Sequence, residues 1–386
     1  HGAKILLGSA TPSLESYTNA KNGKYGLVEL NERFGGVEMP EIETVDIKYV
    51  RHRKQMKGNF SPYLLENIQQ ALHKGEQIIL FQNRRGFAPI SECKDCGWTA
   101  KCHSCDVSLT YHKKINLLKC HYCGYSDAPL KKCNSCGSLD VSVKGVGTEK
   151  IAEELQCFFT DASIQRMDLD TTSRKHAYQE IISAFEHKRI NILIGTQMIT
   201  KGLDFDNVSI VGILNADTML NFPDFRSFER AYQLMAQVSG RAGRKKKRGK
   251  VIIQTYSPDN EIIEAVKKND YSGMFKTEMS ERKTFSYPPY CKLIRVTAIH
   301  LDYQITNYAA RDLAILMRKQ FGKHVLGPEY PYVSRVRNNY IKNILLKIEH
   351  TSSIKEAKKI LLLVKQKIKL NNKFKTIDID IDIDPS

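Results

Sequence analysis

The sequence predicts an α/β protein: a parallel-sheet lobe interrupted by a cysteine-rich insertion, followed by a smaller α+β domain. Three observations carry this. Short apolar runs at 77–82, 164–168, 191–195, 208–215 and 250–254 alternate with helical patterns at 148–159, 175–188 and 224–238. Strands of that kind, separated by helices, suit a parallel sheet covered on both faces. Four CxxC pairs crowd into residues 93–136, and after Pro258 the pattern changes to strand, helix, two strands, helix, strand.

Composition narrows the class. The chain has 386 residues, 41% of them hydrophobic, enough for real cores and two or three domains. No apolar run approaches the roughly 18–20 residues of a membrane span. No charged-then-apolar leader opens the sequence, so a cytoplasmic location is expected. The first residue is His1, which suggests a piece of a longer chain. Lys and Arg number 59 against 42 Asp and Glu, a net charge of +17. A surplus of that size points to a polyanion, because lysine and arginine displace counterions from phosphate backbones. A solvated basic surface is the plainer alternative.

Taken in order, residues 1–57 read as the end of a preceding lobe and a linker. A short strand at 5–7 leads into Gly8-Ser9-Ala10-Thr11-Pro12-Ser13 and a helix start, and a last strand lies near 42–47. The second lobe then runs over 58–257, with an insertion at 91–140 that separates its first strand from the helix at Thr148, where Thr148 is a candidate cap.

Eight of the ten cysteines form the pairs Cys93/Cys96, Cys102/Cys105, Cys120/Cys123 and Cys133/Cys136. Thiolates two residues apart grip one face of a tetrahedral ion, and a second pair closes the shell, so two structural zinc sites are expected. The nested solution joins Cys102, Cys105, Cys120 and Cys123 on one ion and Cys93, Cys96, Cys133 and Cys136 on the other. Sequential pairing is the alternative, and His103, His112 and His121 are possible substitutes. Cys157 and Cys291 read as small buried residues. Seven lysines and three aspartates in 93–136 give +4, which two four-thiolate sites would offset by about −4, so this module is no phosphate binder by charge. Trp98, Tyr111, Tyr122 and Tyr125 either stack on bases or pack the ribbon.

The C-terminal domain, 258–386, is expected to hold a strand at 293–300, a helix at 307–321, strands around 325–337 and 343–349, a helix at 354–370 and a strand at 376–384. That β-α-β-β-α-β order is the split βαβ, or ferredoxin-like, arrangement. Ile354, Ala357, Ile360, Leu361, Val364 and Ile368 make one apolar stripe in the last helix.

The residues with phosphate chemistry are two sets. Gly195-Thr196-Gln197-Met198 and Lys201-Gly202-Leu203-Asp204-Phe205 follow a buried strand, where backbone donors can approach phosphates and Asp204 can couple loop position to a nucleotide. Gln237-Val238-Ser239-Gly240-Arg241-Ala242-Gly243-Arg244 ends a helix with two guanidinium groups. Phosphoryl transfer needs that charge delivered across a cleft, and lysine lacks the planar fork. Gly145-Val146-Gly147-Thr148-Glu149-Lys150 lacks the Gly-Lys-Ser/Thr ending of a phosphate loop, and no other stretch supplies one.

Gly8–Ser13, Asn83-Arg84-Arg85-Gly86, the 196–205 run and 237–244 together resemble motifs III to VI of superfamily 2 helicases. Four CxxC pairs inserted after Arg-Arg-Gly are, in that superfamily, the mark of the PriA helicases. The Tyr287-Pro288-Pro289-Tyr290, Gly327-Pro328 and Ile381-Asp382-Ile383-Asp384-Pro385 elements are similar to that family's C-terminal domain. The resemblance implies a RecA-like helicase lobe with a double zinc-ribbon insertion, and two zinc ions held in the nested pattern. It implies an ATP-dependent 3′→5′ DNA helicase, with ATP and Mg as substrate, that recognises stalled or repaired forks and initiates primosome assembly. Implied partners are forked and single-stranded DNA, single-strand-binding protein, other primosome proteins and the replicative helicase loader. By motif, Arg241, Arg244 and Gln237 would face ATP. Gly202 and Asp204 would bind or sense the nucleotide, and Ser9, Thr11, Arg84, Arg85 and Thr196 would touch DNA or couple hydrolysis to strand movement. The family's fork-binding region, Walker A and Asp-Glu-x-His motif precede motif III, so this chain reads as a C-terminal part that hydrolyses no ATP alone. A non-enzymatic zinc-containing primosome scaffold and an RNA-directed helicase are the rival readings.

Overall fold

The computed structural model describes residues 4–30, 38–83, 90–93, 95–112, 115–144, 147–168, 171–172, 174, 176–200, 205–243, 248–349 and 352–385. In chain order the elements begin with α1 (Leu14–Lys21), β1 (Glu41–Asp46), α2 (Ile47–His52), α3 (Pro62–His73) and β2 (Gln77–Phe81). The cysteine-rich segment contributes β3 (Ile90–Cys93), β4 (Thr110–His112), β5 (Leu117–Lys119), β6 (Ser126–Asp127) and β7 (Val141–Lys144). Next come α4 (Thr148–Phe158), β8 (Ile164–Met167), α5 (Ala177–Glu186), β9 (Ile192–Gly195), β10 (Val208–Ile213), α6 (Asp217–Leu220), α7 (Ser227–Ser239), β11 (Lys250–Thr255), α8 (Glu261–Lys268) and α9 (Tyr271–Thr284). The chain finishes with β12 (Cys291–His300), α10 (Tyr303–Phe321), β13 (Val325–Glu329), β14 (Arg335–Val336), β15 (Asn339–Glu349), α11 (Ile354–Leu370) and β16 (Asp378–Ile383).

Two compact units form, His1–Ala88 with Val146–Met279 and Pro89–Gly145 with Ser280–Ser386. The first is built on a six-stranded sheet in the order β1-β11-β10-β2-β9-β8, with every neighbouring pair parallel. Its side chains alternate between two cores, as the period of an extended chain requires. Ile79, Phe81, Leu193, Val211 and Ile253 pack toward α7 and α8, while Ile78, Leu80, Ile192, Ile194 and Ile252 pack toward α3 and α4. All five predicted strands are present, and the continuous burial of β2 and β9 explains why they read as unbroken apolar runs.

Several local expectations are corrected. The run Ile5–Leu7 forms no strand and is exposed, because three apolar residues without a ladder partner gain nothing from being extended. The strand near 42–47, read as closing the preceding segment, is β1, paired in parallel with β11 from Glu41↔Lys250 to Asp46↔Thr255. Cys157 is exposed rather than buried, since α4 turns Thr148, Ile151 and Leu155 inward and Cys157 lies off that face.

Thr148 does not cap α4 with its side chain. Its hydroxyl instead donates to Asp168 Oδ2 at 2.6 Å, and Arg166 Nη2 donates to the same oxygen at 2.8 Å. Burial raises the Asp168 carboxyl, but these donors and the Thr171 amide outweigh it and hold the group below its ordinary value. Asp168→Ala is expected to destabilise this unit by about 3 kcal/mol, read by urea unfolding, because Arg166 would lose a buried counter-charge. The depressed carboxyl contributes stability above the unfolded value near 3.8 and loses it as pH falls further, so the gap between variant and parent should close in acid.

In the second unit β13, β15, β12 and β16 form an antiparallel sheet in that order, with α10 and α11 packed on it, the ferredoxin-like arrangement expected from the element order. Ala357, Leu361, Val364 and Ile368 of the predicted stripe are buried under it. The helix α10 begins four residues earlier than periodicity suggests, because the Asp302 carboxylate accepts from the amides of Gln304 and Ile305. Between β13 and β15 the short strand β14 turns into β15 through Arg337 and Asn338, both in the left-handed region at φ 51° and 64°. The cysteine-rich segment adds its own sheet, β6-β5-β4-β3-β7.

Candidate metal centres and nucleotide-facing segment

The eight paired cysteines gather into two groups, Cys93, Cys96, Cys133 and Cys136, and Cys102, Cys105, Cys120 and Cys123. Within each group all sulfurs lie within 4.8 Å of one another. This is the nested pattern; sequential pairing is excluded, and His103, His112 and His121 belong to neither group. Sulfur separations include 3.6 Å for Cys93–Cys136, 3.7 Å for Cys96–Cys133 and 3.5 Å for Cys102–Cys123. A disulfide needs about 2.05 Å. A tetrahedron with metal–sulfur bonds of about 2.3 Å has edges of about 3.8 Å, so the donor sets fit zinc.

Local chemistry explains why the knuckles form. Gly97, Gly124 and Gly137 each follow a CxxC pair at φ 71°, 83° and 76°, a conformation that suits glycine. Backbone amides point back at sulfur: Ser104 N donates to Cys102 and Ser135 N to Cys133, both at 3.4 Å. The Tyr125 amide holds Cys123 down to about 7, and the Cys136 amide holds Cys133 down to about 7. Burial pushes Cys102 up to about 12. Each group therefore pairs a ready thiolate with thiols that resist ionisation, and a divalent cation would bring all four to the thiolate form. Of the aromatic residues, Trp98, Tyr111 and Tyr125 pack against the ribbon core of Ala100, Leu109 and Leu118, whereas Tyr122 is exposed.

The other site lies along α7. Glu229 Oε1 accepts from the Leu14 amide at 2.9 Å, Gln233 Nε2 donates to the Pro12 carbonyl at 3.2 Å, and Gln237 Nε2 donates to Thr11 Oγ1 at 3.3 Å. Positions four apart on a helix share one face, so three polar side chains hold residues 11–14 alongside α7. Arg226 adds an ion pair to Glu15 at 3.0 Å. Thr11 is buried, and Ser9 Oγ accepts its amide at 3.1 Å. Gly240 terminates α7, and Arg241 follows in the turn, half-buried.

Residues 102–127 match the PriA DNA helicase Cys-rich region (CRR) domain, 142–246 the helicase conserved C-terminal domain and 283–386 the primosomal protein N C-terminal domain. The chain is 41% identical to the replication restart protein PriA of Bacillus subtilis (strain 168), covering 100% of this chain and 48% of that protein. The chain belongs to the PriA family. It is also 36% identical to the PriA protein of Haemophilus influenzae, over 99% of this chain and 51% of the relative. The Synechocystis PriA protein gives 36% identity over 99% of this chain and 46% of its own length. The chain thus spans about half the length of the curated PriA relatives it matches. Among the described residues no helix is long and apolar enough to cross a membrane.

In this PriA chain the structure brings Gln237 and Thr11 into contact, and it places Thr196, buried, directly after β9. Arg84, Arg85, Gly202, Asp204 and Arg244 lie outside the described residues. Sequence reasoning missed Glu229 and Gln233. The signal was available, since Glu229, Gln233 and Gln237 repeat every four residues on a helix that also buries Ala231, Tyr232, Met235 and Val238. It also missed a C-terminal surface cluster, in which Tyr303 stacks on Tyr330 at 6.1 Å and meets Tyr340 edge-on at 5.4 Å. Lys342 Nζ lies 4.6 Å from the centre of the Tyr330 ring. These residues come from α10, the segment after β13, and β15, and no local spacing unites them.

Proposed function

We propose that this chain is the arginine-bearing part of an ATP-dependent 3′→5′ DNA helicase of replication restart. In this reading it acts on stalled or repaired forks in the cytoplasm and initiates primosome assembly with single-strand-binding protein, other primosome proteins and the replicative helicase loader. Whole-chain similarity to PriA proteins is the observation that carries the reading. The net charge of +17 supports a nucleic-acid partner.

The chemistry assigned to the residues follows from charge. ATP with Mg is the substrate, and its transferring phosphoryl group carries negative charge on three equatorial oxygens. Arg241 and Arg244 supply guanidinium groups to that charge, and Gln237 orients the segment through Thr11. Gly202 and Asp204 sense the nucleotide, while Ser9, Thr11, Arg84, Arg85 and Thr196 carry the coupling to DNA. The zinc sites hold the cysteine-rich ribbon in shape and take no part in hydrolysis.

The sequence contains no Gly-Lys-Ser/Thr phosphate loop, so these arginines have no phosphate cradle on the same chain. The 386-residue chain alone is therefore expected to show no DNA-stimulated ATP hydrolysis in a phosphate-release assay. Turnover by the isolated chain would refute the assignment. Competition between forked DNA and matched RNA tests the substrate, with preference for RNA favouring an RNA-directed helicase.

A further inference from the structure

The four knuckles are not equivalent. In three of them the glycine after the second cysteine donates its amide to the first cysteine's carbonyl: Gly97 to Cys93 at 2.9 Å, and Gly124 to Cys120 and Gly137 to Cys133 at 3.0 Å. The next residue then turns its amide onto the second sulfur, Trp98 onto Cys96, Tyr125 onto Cys123 and Ser138 onto Cys136. Each of these knuckles is completed from its own sequence.

The Cys102–Cys105 knuckle has Asp106 where the others have glycine. The Asp106 amide leaves the knuckle and donates to the Arg335 carbonyl at 2.8 Å. The sulfur of Cys105 accepts instead from the Arg337 amide, at 3.2 Å and 232 residues away in sequence. Beside it the Asn338 amide donates to the Ser104 carbonyl at 2.7 Å. The Asp106 carboxylate accepts from Ser334 Oγ at 2.7 Å and Arg335 Nε at 3.0 Å, and Val336 packs into the ribbon core. Both parts belong to one compact unit. The turn itself is suited to this use. Two central residues at positive φ form a type I′ hairpin, whose amides face outward as donors.

We propose that the Arg337–Asn338 turn is an outer-shell part of the Cys102/Cys105/Cys120/Cys123 zinc site, positioning Cys105, so that zinc retention and the order of residues 334–340 are coupled. Partners that orient metal ligands typically change affinity by about 10–100-fold. The coupling is reciprocal: whatever loosens the turn weakens the metal, and removing the metal frees the turn. The Cys93/Cys96/Cys133/Cys136 site, completed within its own ribbon, is independent of the turn.

The test uses the 386-residue chain loaded with zinc, with metal release followed by a chromophoric chelator. Cys133→Ser, which keeps only the Cys102 site, assigns the phases. Asp106→Ala is expected to speed release from the Cys102 site about tenfold and to leave the other phase unchanged. In the unsubstituted chain, stripping zinc should raise amide exchange at Arg337 and Asn338, whereas Cys133→Ser should not. Unchanged release from the Cys102 site, equal acceleration of both phases, or unchanged exchange at the turn after stripping would each overturn the proposal. The proposal rests on zinc being the resident metal, which elemental analysis checks separately: about two ions per chain are required.

Discussion

On the proposed function, replacing Arg241 with alanine in the full-length protein is expected to lower DNA-stimulated ATP turnover about a thousandfold, with little loss of ATP binding. Guanidinium groups supplied to a transferring phosphoryl are worth roughly 10³–10⁵ in rate because they act where charge accumulates in the transition state. The position is suited to the role: Gly240 ends α7, and Arg241 follows, half-buried, in the turn after a helix held by its own polar stripe. Arg241→Lys should recover little, since an ammonium offers a point charge without the fork. Steady-state kinetics on forked DNA, together with nucleotide affinity measured separately, checks both claims. Unchanged turnover would favour the scaffold reading.

Cys120→Ser is the second large effect. It is expected to cut zinc from about two ions per chain to about one and to unfold the ribbon built on β4 and β5, while the six-stranded sheet persists. Structural zinc in small domains contributes on the order of 10 kcal/mol, far more than the few apolar residues around Ala100, Leu109 and Leu118 provide alone. Elemental analysis gives the stoichiometry. Circular dichroism and limited proteolysis should show the loss confined to the ribbon and the 334–340 turn that is bonded to it. Two ions in the variant, or unfolding of the sheet with the ribbon, would contradict this assignment.

Where the determinants were local, the sequence was readable. The CxxC spacing foretold both four-cysteine groups, and five strands announced themselves as short apolar runs bounded by helices. The last helix matched its predicted bounds because its stripe lies within the seventeen-residue element and its cap, Ser353, is the residue just before it. Failures came where the partner is distant. β1 is recognisable as a strand, but nothing near it says that it pairs with β11, some 200 residues on. Thr148 has the chemistry of a cap and is diverted by Asp168, twenty residues away. Asp106 reads as an ordinary knuckle residue until Arg335 and Ser334 are placed beside it.

The polar stripe of α7 has a mechanical consequence. Glu229, Gln233 and Gln237 grip one short stretch of backbone and side chain at three rungs of a single helix. Sliding that stretch along the helix by one turn, about 5.4 Å, breaks all three grips together rather than one at a time. Moving residues 11–14 off the helix therefore has to break all three bonds together, the last of them one turn before Arg241.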